Sequence, residues 1–298
     1  MLHRLITLIN VSIAVFLLLI GGVVYWFALR PLPKVSGSMG APIEHGAVIK
    51  RDSRGVPHIE AASVADACFL QGFATAQDRL WQMDGLRRFA AGELSEVFGR
   101  GTLQQDLLSR RMRLRALAQQ DWQRLDVRLR PLFEQYARGV NFYIDTARGN
   151  YPLEYRLPGH QYEPKRWTPV DSILVGLVMF RDLTDNINFD LFRGALLSAG
   201  GNAVKVKQLF PATEGLSVSP GSNAWAVSGR HSVDGSPLLA NDPHLSYGIP
   251  PTWHLVHLKA PGIHVSGATL PGLPGVITGH NEQIAWGVTN LQTDAMDL

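Results

Sequence analysis

Apolar residues run from residue 5 to residue 29 without a charged interruption, and a Pro/Gly/Ser-rich stretch follows over 31–42. About 20 apolar residues cross a bilayer, so the pattern predicts a membrane anchor within residues 1–30 and a tether over 31–46. Tyr25-Trp26 stand near the far end, where aromatic rings favour the interface. The rival is a cleaved signal peptide, whose apolar core is usually about 7–15 residues before an Ala-x-Ala-like site. No such site is present, which favours an uncleaved anchor. Either reading puts the body outside the cytoplasm, anchored to the inner membrane by residues 5–29 or released into the periplasm.

Residues 47–52 then read as a strand, and 55–59 as a turn into another. Ser63-Val64-Ala65-Asp66 resembles a capping box, and Phe69, Phe73, Ala76, Leu80 and Met83 recur at helical spacing. Helical pattern dominates to Ala147. Thr168 and Pro169 open a further helix through Ile173, Leu174, Leu177 and Phe180. A last one, over 189–197, ends at Gly200-Gly201. Past Ser222 the period changes to that of strands, at 223–229, 237–241, 253–259, 263–268, 276–278 and 284–289, separated by Gly and Pro turns. Helices come first and sheet second, which predicts an α+β fold with a sheet core under helices.

The 298 residues are 46% hydrophobic and 18% charged, as a globular body with one apolar segment requires. Lys plus Arg exceed Asp plus Glu by 28 − 25 = 3. No block of like charge stands out, so nucleic acid is not an expected partner. Arg87-Arg88 and Arg110-Arg111 read as solvated helix faces. A single cysteine, Cys68, excludes an intrachain disulfide and any CxxC motif, and its apolar context predicts a buried thiol. The last residues, 293–298, carry no cap or tail, so the chain is expected to be a fragment.

The familiar hydrolase signatures GxSxG, SxxK and HExxH are absent. His254, His257 and His264 could suggest a zinc-dependent hydrolase, but residues three apart in a strand face opposite sides, which weighs against it. Gly221-Ser222-Asn223-Ala224-Trp225 is more informative. It joins a turn-prone stretch to a predicted strand. A cut before Ser222 would place a new amine beside the hydroxyl of the same residue, a self-contained nucleophile and base. Free α-amines titrate at about pH 7.7–8.0, so the neutral form can take the hydroxyl proton near neutrality. Gly221, lacking a β-carbon, suits the leaving side of such a cut.

Longer motifs stand in order around that serine. Arg51-Asp52-x-x-Gly55-Val56-Pro57-His58-Ile59, then 72–84 (GFATAQDRLWQMD), Arg87-Arg88-x-x-x-Gly92 with Ser95-Glu96, and Glu163-Pro164-x-x-Trp167 precede it. Asn241-Asp242-Pro243-His244 and Gly279-His280-Asn281-x-x-Ile284-Ala285-Trp286-Gly287 follow it. Together they resemble the penicillin acylase family of N-terminal nucleophile hydrolases.

The resemblance implies a four-layer αββα sandwich and a precursor that cuts itself before Ser222. Residues 47–201 would form a helix-rich α-chain region, 202–221 a spacer, and 222–298 the start of a β-chain. It implies an acyl-serine route to hydrolysis of linear amides in small N-acylated substrates, such as β-lactam side chains or N-acyl-homoserine lactones. The backbone N–H of Asn290 would be one oxyanion donor, while the second, an asparagine side chain, would lie beyond Leu298. Residues 1–298 alone are therefore expected to be inactive. His244 would stand close enough to hydrogen-bond Ser222, and Asn223 and Trp225 would orient and pack the new terminus. Asp294, Met296 through its carbonyl, and Asp297 match a calcium-binding segment, with Asn188 or Asp190 where the family has a glutamate; oxygen ligands suit that hard ion. No organic cofactor is implied. An apolar acyl pocket would draw on Phe180 and its neighbours. The alternatives are a membrane-anchored binding protein that kept the fold and lost catalysis, and the histidine-bound metal hydrolase.

Overall fold

The helix that organises the body begins at a cap the sequence offers. The computed structural model describes residues 2–156, 162–183, 187–209, 222–245 and 247–290, of which 187–190 by backbone alone. Helix α1 (Leu2–Val24) continues through a wider helical turn, Tyr25–Leu29, and buries no residue. By length and composition Leu2–Leu29 could cross a membrane. Strands β1 (Val48–Arg51) and β2 (Pro57–Glu60) pair antiparallel, and α2 (Val64–Ala91) follows.

Ser63, in extended conformation, accepts the Asp66 N–H at 3.0 Å and starts α2. Gly92 ends it at φ 70, a left-handed turn in which a β-carbon is unfavourable. The Asp66 carboxylate accepts the N–H of Glu44 at 3.3 Å, reaching out of the helix rather than back along it. Phe69, Phe73, Ala76, Leu80 and Met83 are all buried, as their spacing predicts. Helices α3 (Ser95–Phe98), α4 (Leu103–Arg111), α5 (Leu114–Arg124) and α6 (Arg130–Thr146) divide the helical stretch up to Ala147. A reciprocal cap opens α7 (Pro169–Leu183): the Thr168 N–H and hydroxyl donate to Asp171 Oδ2 at 2.8 and 2.7 Å. Helices α8 (Ile187–Ser198) and α9 (Ala203–Leu209) come next, α9 within the expected spacer.

The second half supplies β3 (Ser222–Val227), β4 (Leu238–Pro243), β5 (His254–Ala260), β6 (Ile263–Thr269), β7 (Thr278–Asn281) and β8 (Ala285–Trp286). A six-stranded sheet runs β1-β2-β5-β6-β7-β8, while β3 and β4 form a separate antiparallel ribbon. All neighbours in the large sheet are antiparallel except β2 and β5, whose parallel join sets His58 opposite His257. The sheet thus combines strands from both halves of the chain. Its inner face, Ile59, Val256, Leu258 and Val265, packs on Ala67, Phe69, Leu70 and Ala74 of α2. Helices and a mixed sheet make the fold α+β, as expected, with a helix layer on one face of the sheet.

Helices α2 and α6 approach so closely at Gly72 and Gly139 that a β-carbon on either would overlap a carbonyl of the other helix, of Tyr136 and Phe69 respectively. Buried polar groups are matched across the halves: the Gln71 amide exchanges two 2.9 Å hydrogen bonds with Gly275, and Tyr136 Oη accepts the Gly272 N–H at 3.0 Å. Cys68 is buried, as expected, and burial pushes its thiol up to about 12.

One expectation is overturned. Arg87 and Arg88 are buried, 4% and 3% exposed, rather than solvated. Asp84 lies one turn earlier on α2 and receives Arg87 Nε at 2.7 Å, Arg88 Nε at 2.9 Å and the Tyr162 hydroxyl at 2.7 Å. Burial alone would raise the Asp84 carboxyl, but the two guanidinium charges hold it below its ordinary value.

Candidate active site

Ser222 is the first residue of β3, and its register decides what surrounds it. Ser222 stands opposite Pro243, Asn223 opposite Asp242 and Ala224 opposite Asn241. The motif around the serine and Asn241-Asp242-Pro243-His244 are therefore the two strands of one ribbon. Directly opposed residues share a face and successive ones alternate. Asn241 accordingly shares the Ser222 face, and Asn223 and Asp242 share the other. Ser222 and Pro243 are the last paired residues of the described ladder.

Asn241, which the sequence offers only as a motif letter, ties the ribbon to the sheet. Its Nδ2 donates to the Asn223 carbonyl and to the Val288 carbonyl, each at 2.9 Å. Its Oδ1 accepts the Val288 N–H at 3.1 Å and the Thr278 hydroxyl at 3.0 Å. Both amide donors and both acceptor positions are used. Gly287 lies against it: a β-carbon there would stand 2.7 Å from Asn241 Cβ. This arrangement ends β8 at Trp286, short of the expected 284–289, because Val288 bonds to a side chain and not to a neighbouring strand.

Asn290 follows two residues later. Its side-chain Nδ2 donates to the Leu183 carbonyl at 2.7 Å, at the C-terminal end of α7. Phe180, 46% exposed, lies three residues earlier on the same helix. The segment expected to carry an oxyanion donor is thus fastened to the helix expected to line an acyl pocket.

His244 follows the last residue of β4, beside Asp242 and Asn223. Its Nε2 is 2.9 Å from Asp242 Oδ2 and 3.4 Å from Asn223 Nδ2. No hydrogen bond joins it to Ser222 among the described residues; its partners belong to the opposite face of the ribbon. Trp225 is 66% exposed. Gly221, Asp294, Met296 and Asp297 lie outside the described residues, and of Asn188 only the helical backbone is described.

The histidines of β5 separate as strand geometry requires. His254 is 6% exposed and meets Asp78 Oδ2 at 3.1 Å, on the core side. His257 faces away, with Nδ1 at 3.0 Å from His58 Nδ1 and its ring centroid 5.1 Å from that of His264. Burial, then the neighbouring His58 and His264, lowers the His257 pKa. Among the described residues no group of three or more His, Cys, Asp or Glu side chains could hold a metal. A cleft of about 290 Å³ elsewhere is crossed by ion pairs of Arg115 with Glu93 at 3.2 Å and with Asp171 at 3.6 Å.

Comparison with known proteins agrees with the motifs. Residues 46–298 match the family described as Penicillin amidase. The acyl-homoserine lactone acylase QuiP of Pseudomonas aeruginosa is 32% identical over 286 residues, 84% of this chain and 34% of that protein. The penicillin acylase 2 proenzyme of Pseudomonas sp. strain SE83 is 32% identical over 310 residues, 90% of this chain and 39% of that protein. A solved thermostable penicillin G acylase from Alcaligenes faecalis shares 27% identity at a TM-score of 0.48, covering 59% of this chain and 97% of that one. The chain spans about a third of the length of the first curated relatives it matches.

Proposed function

We propose that this chain, which belongs to the penicillin amidase family, is part of an acylase precursor that cuts itself before Ser222 and hydrolyses linear amides of small acylated amines. One observation carries the reading: Ser222 stands at the end of the β3–β4 ladder, and Asn241 fastens that ribbon to Val288, two residues before Asn290. Nucleophile and expected oxyanion donor are thereby built onto one hydrogen-bonded frame.

After the cut, the free amine of Ser222 accepts the proton of its own hydroxyl as the oxygen attacks the amide carbon. The Asn290 N–H, with a donor from the remainder of the protein, holds the oxyanion. The amine leaves with the proton, and water then releases the acid from the acyl-serine. His244, held by Asp242, supports Asn223 in this reading and does not act as the base. A calcium ion bound by Asp294, Met296, Asp297 and Asn188 or Asp190 would brace the structure and take no part in the reaction; the all-oxygen donor set supports it. The apolar α1 supports an extracytoplasmic, membrane-anchored enzyme.

The relatives' names carry acyl-homoserine lactones and penicillins as the amides to try first. Mass spectrometry and Edman sequencing of the full-length protein test the reading. Two chains, one beginning at Ser222, are expected for wild type and one uncut chain for Ser222→Ala. An active wild-type enzyme that is a single continuous polypeptide across residue 222 would overturn it.

A further inference from the structure

The end of the apolar helix is built into the body. The Trp26 carbonyl accepts Arg156 Nη1 at 3.0 Å, and the Arg30 carbonyl accepts Asn150 Nδ2 at 2.6 Å. Arg156 and Asn150 belong to the turn that follows α6 and to its short 3₁₀ segment, Leu153–Arg156. Pro31, the next residue after Arg30, is already buried. The stretch expected to be a tether, though largely exposed, is fastened to the body at two further points. Gln77 Nε2 donates to the Lys34 carbonyl at 2.9 Å, and Arg138 Nη2 to the Pro42 carbonyl at 3.1 Å. No slack separates the last apolar turn from the globular part.

Charge at this junction has a direction. The Arg30 guanidinium lies 4.0 Å over the Trp26 ring, and Arg156 gives one N–H each from Nη1 and Nη2 to the carbonyls of Trp26 and Gly149, which leaves the rest of its fork of donors for other partners. Neither meets a carboxylate among the described residues. Two cations therefore sit at the end of a 28-residue helical span, beside Tyr25 and Trp26. Aromatic rings favour the level of the headgroups, and cations near a membrane surface are attracted by anionic lipid.

We infer that Tyr25–Leu29 and the Asn150–Arg156 turn form a membrane collar, which retains the apolar helix in the mature protein, holds the body against the bilayer in one orientation and offers Arg30 and Arg156 to the phosphates of anionic lipids. The inference rests on α1 being a membrane span and is independent of the chemistry at Ser222. A leader peptidase would need an exposed, extended site after the apolar core. Here the apolar core is helical to Leu29 and its last turn is bound by the body through Trp26, Arg30 and the buried Pro31, ahead of the irregular and largely exposed residues 32–40.

The test uses the full-length protein in nanodiscs whose lipids carry a headgroup quencher, with a fluorophore on Leu153→Cys. Leu153 is 38% exposed, and Cys68 is buried and does not compete for the label. Expected are an amino terminus upstream of residue 25 by mass spectrometry, and strong quenching at position 153 that is greater with anionic than with zwitterionic lipid. With Asn150→Ala/Arg156→Ala, quenching falls to that of a soluble-dye control while the protein still sediments with membranes. A mature chain starting after Pro31 would remove the anchor and the collar together. An intact anchor with an unquenched wild-type label, or with equal quenching in the double variant, would overturn the collar alone. The labelled parent protein keeps both Asn150 and Arg156, so misfolding of the double variant leaves the test decisive.

Discussion

Asn241 and Val288 are joined twice, the side-chain amide giving a hydrogen bond to the carbonyl at 2.9 Å and taking one from the N–H at 3.1 Å. One side chain thus stands in for a strand neighbour and fixes the backbone two residues before Asn290. Asn241→Ala removes this pairing together with the bonds to Asn223 and Thr278. The full-length variant is expected to cut itself slowly and, once cut, to lose about 100-fold in kcat, the usual cost of misplacing a group by about 1 Å. Rates of chain separation on denaturing gels and steady-state kinetics on an acyl amide check this.

Asp84 neutralises two buried arginines, so its removal leaves charge without a partner. Asp84→Asn is expected to destabilise the protein by about 3–5 kcal/mol. Glu96 pairs with Arg88 at 3.1 Å but is 46% exposed, and Glu96→Gln is expected to cost about 1 kcal/mol or less. Urea denaturation followed by tryptophan fluorescence separates the two.

Close approach of α2 and α6 makes Gly139 and Gly72 intolerant of a methyl group. Gly139→Ala is expected to cost about 1–3 kcal/mol, since the helices must part. Gly85 lies within α2 with nothing within 4 Å of its missing β-carbon. Gly85→Ala should therefore stabilise by about 0.5–1 kcal/mol. Opposite shifts in the thermal midpoint are the expected readout.

His257 is held below its ordinary value of 6.5 by burial and by His58 and His264, with Glu60 acting the other way and Lys259 with them. Asp52 lies 3.7 Å from His58, and Glu282 lies 2.8 Å from His264. A depressed histidine binds fewer protons folded than unfolded. Its contribution is favourable above about pH 6.5 and is lost as the pH falls toward the depressed value. Stability should decline over that window, and His257→Gln should flatten the decline, as denaturation midpoints from pH 7.5 to 5 would show.

Much of the frame was legible along the chain. The apolar run of residues 5–29, the α2 period through Phe69, Phe73, Ala76, Leu80 and Met83, and the caps at Ser63 and Thr168 are local signals, and each formed as its spacing required. Arg87-Arg88 misled because two arginines in a helix usually face water. The signal against that reading was present: Asp84 stands three and four residues earlier, on the same helix face. Asn241 carried no such signal. Its role depends on Asn223, Thr278 and Val288, which meet it only once three segments are placed.

The sequence by itself determined the order of elements, the apolar helix and the serine at which the chain passes from helix to strand, because periodicity, caps and turn residues act over a few neighbours. Only the tertiary structure decided that β2 pairs with β5, that His244 keeps to Asp242 and Asn223, and that Asn150 and Arg156 grip the end of the apolar helix. Those contacts join residues far apart in the chain or depend on strand register. A one-residue slip in register exchanges the faces of a strand, and no local pattern fixes a partner that lies 100 positions or more away.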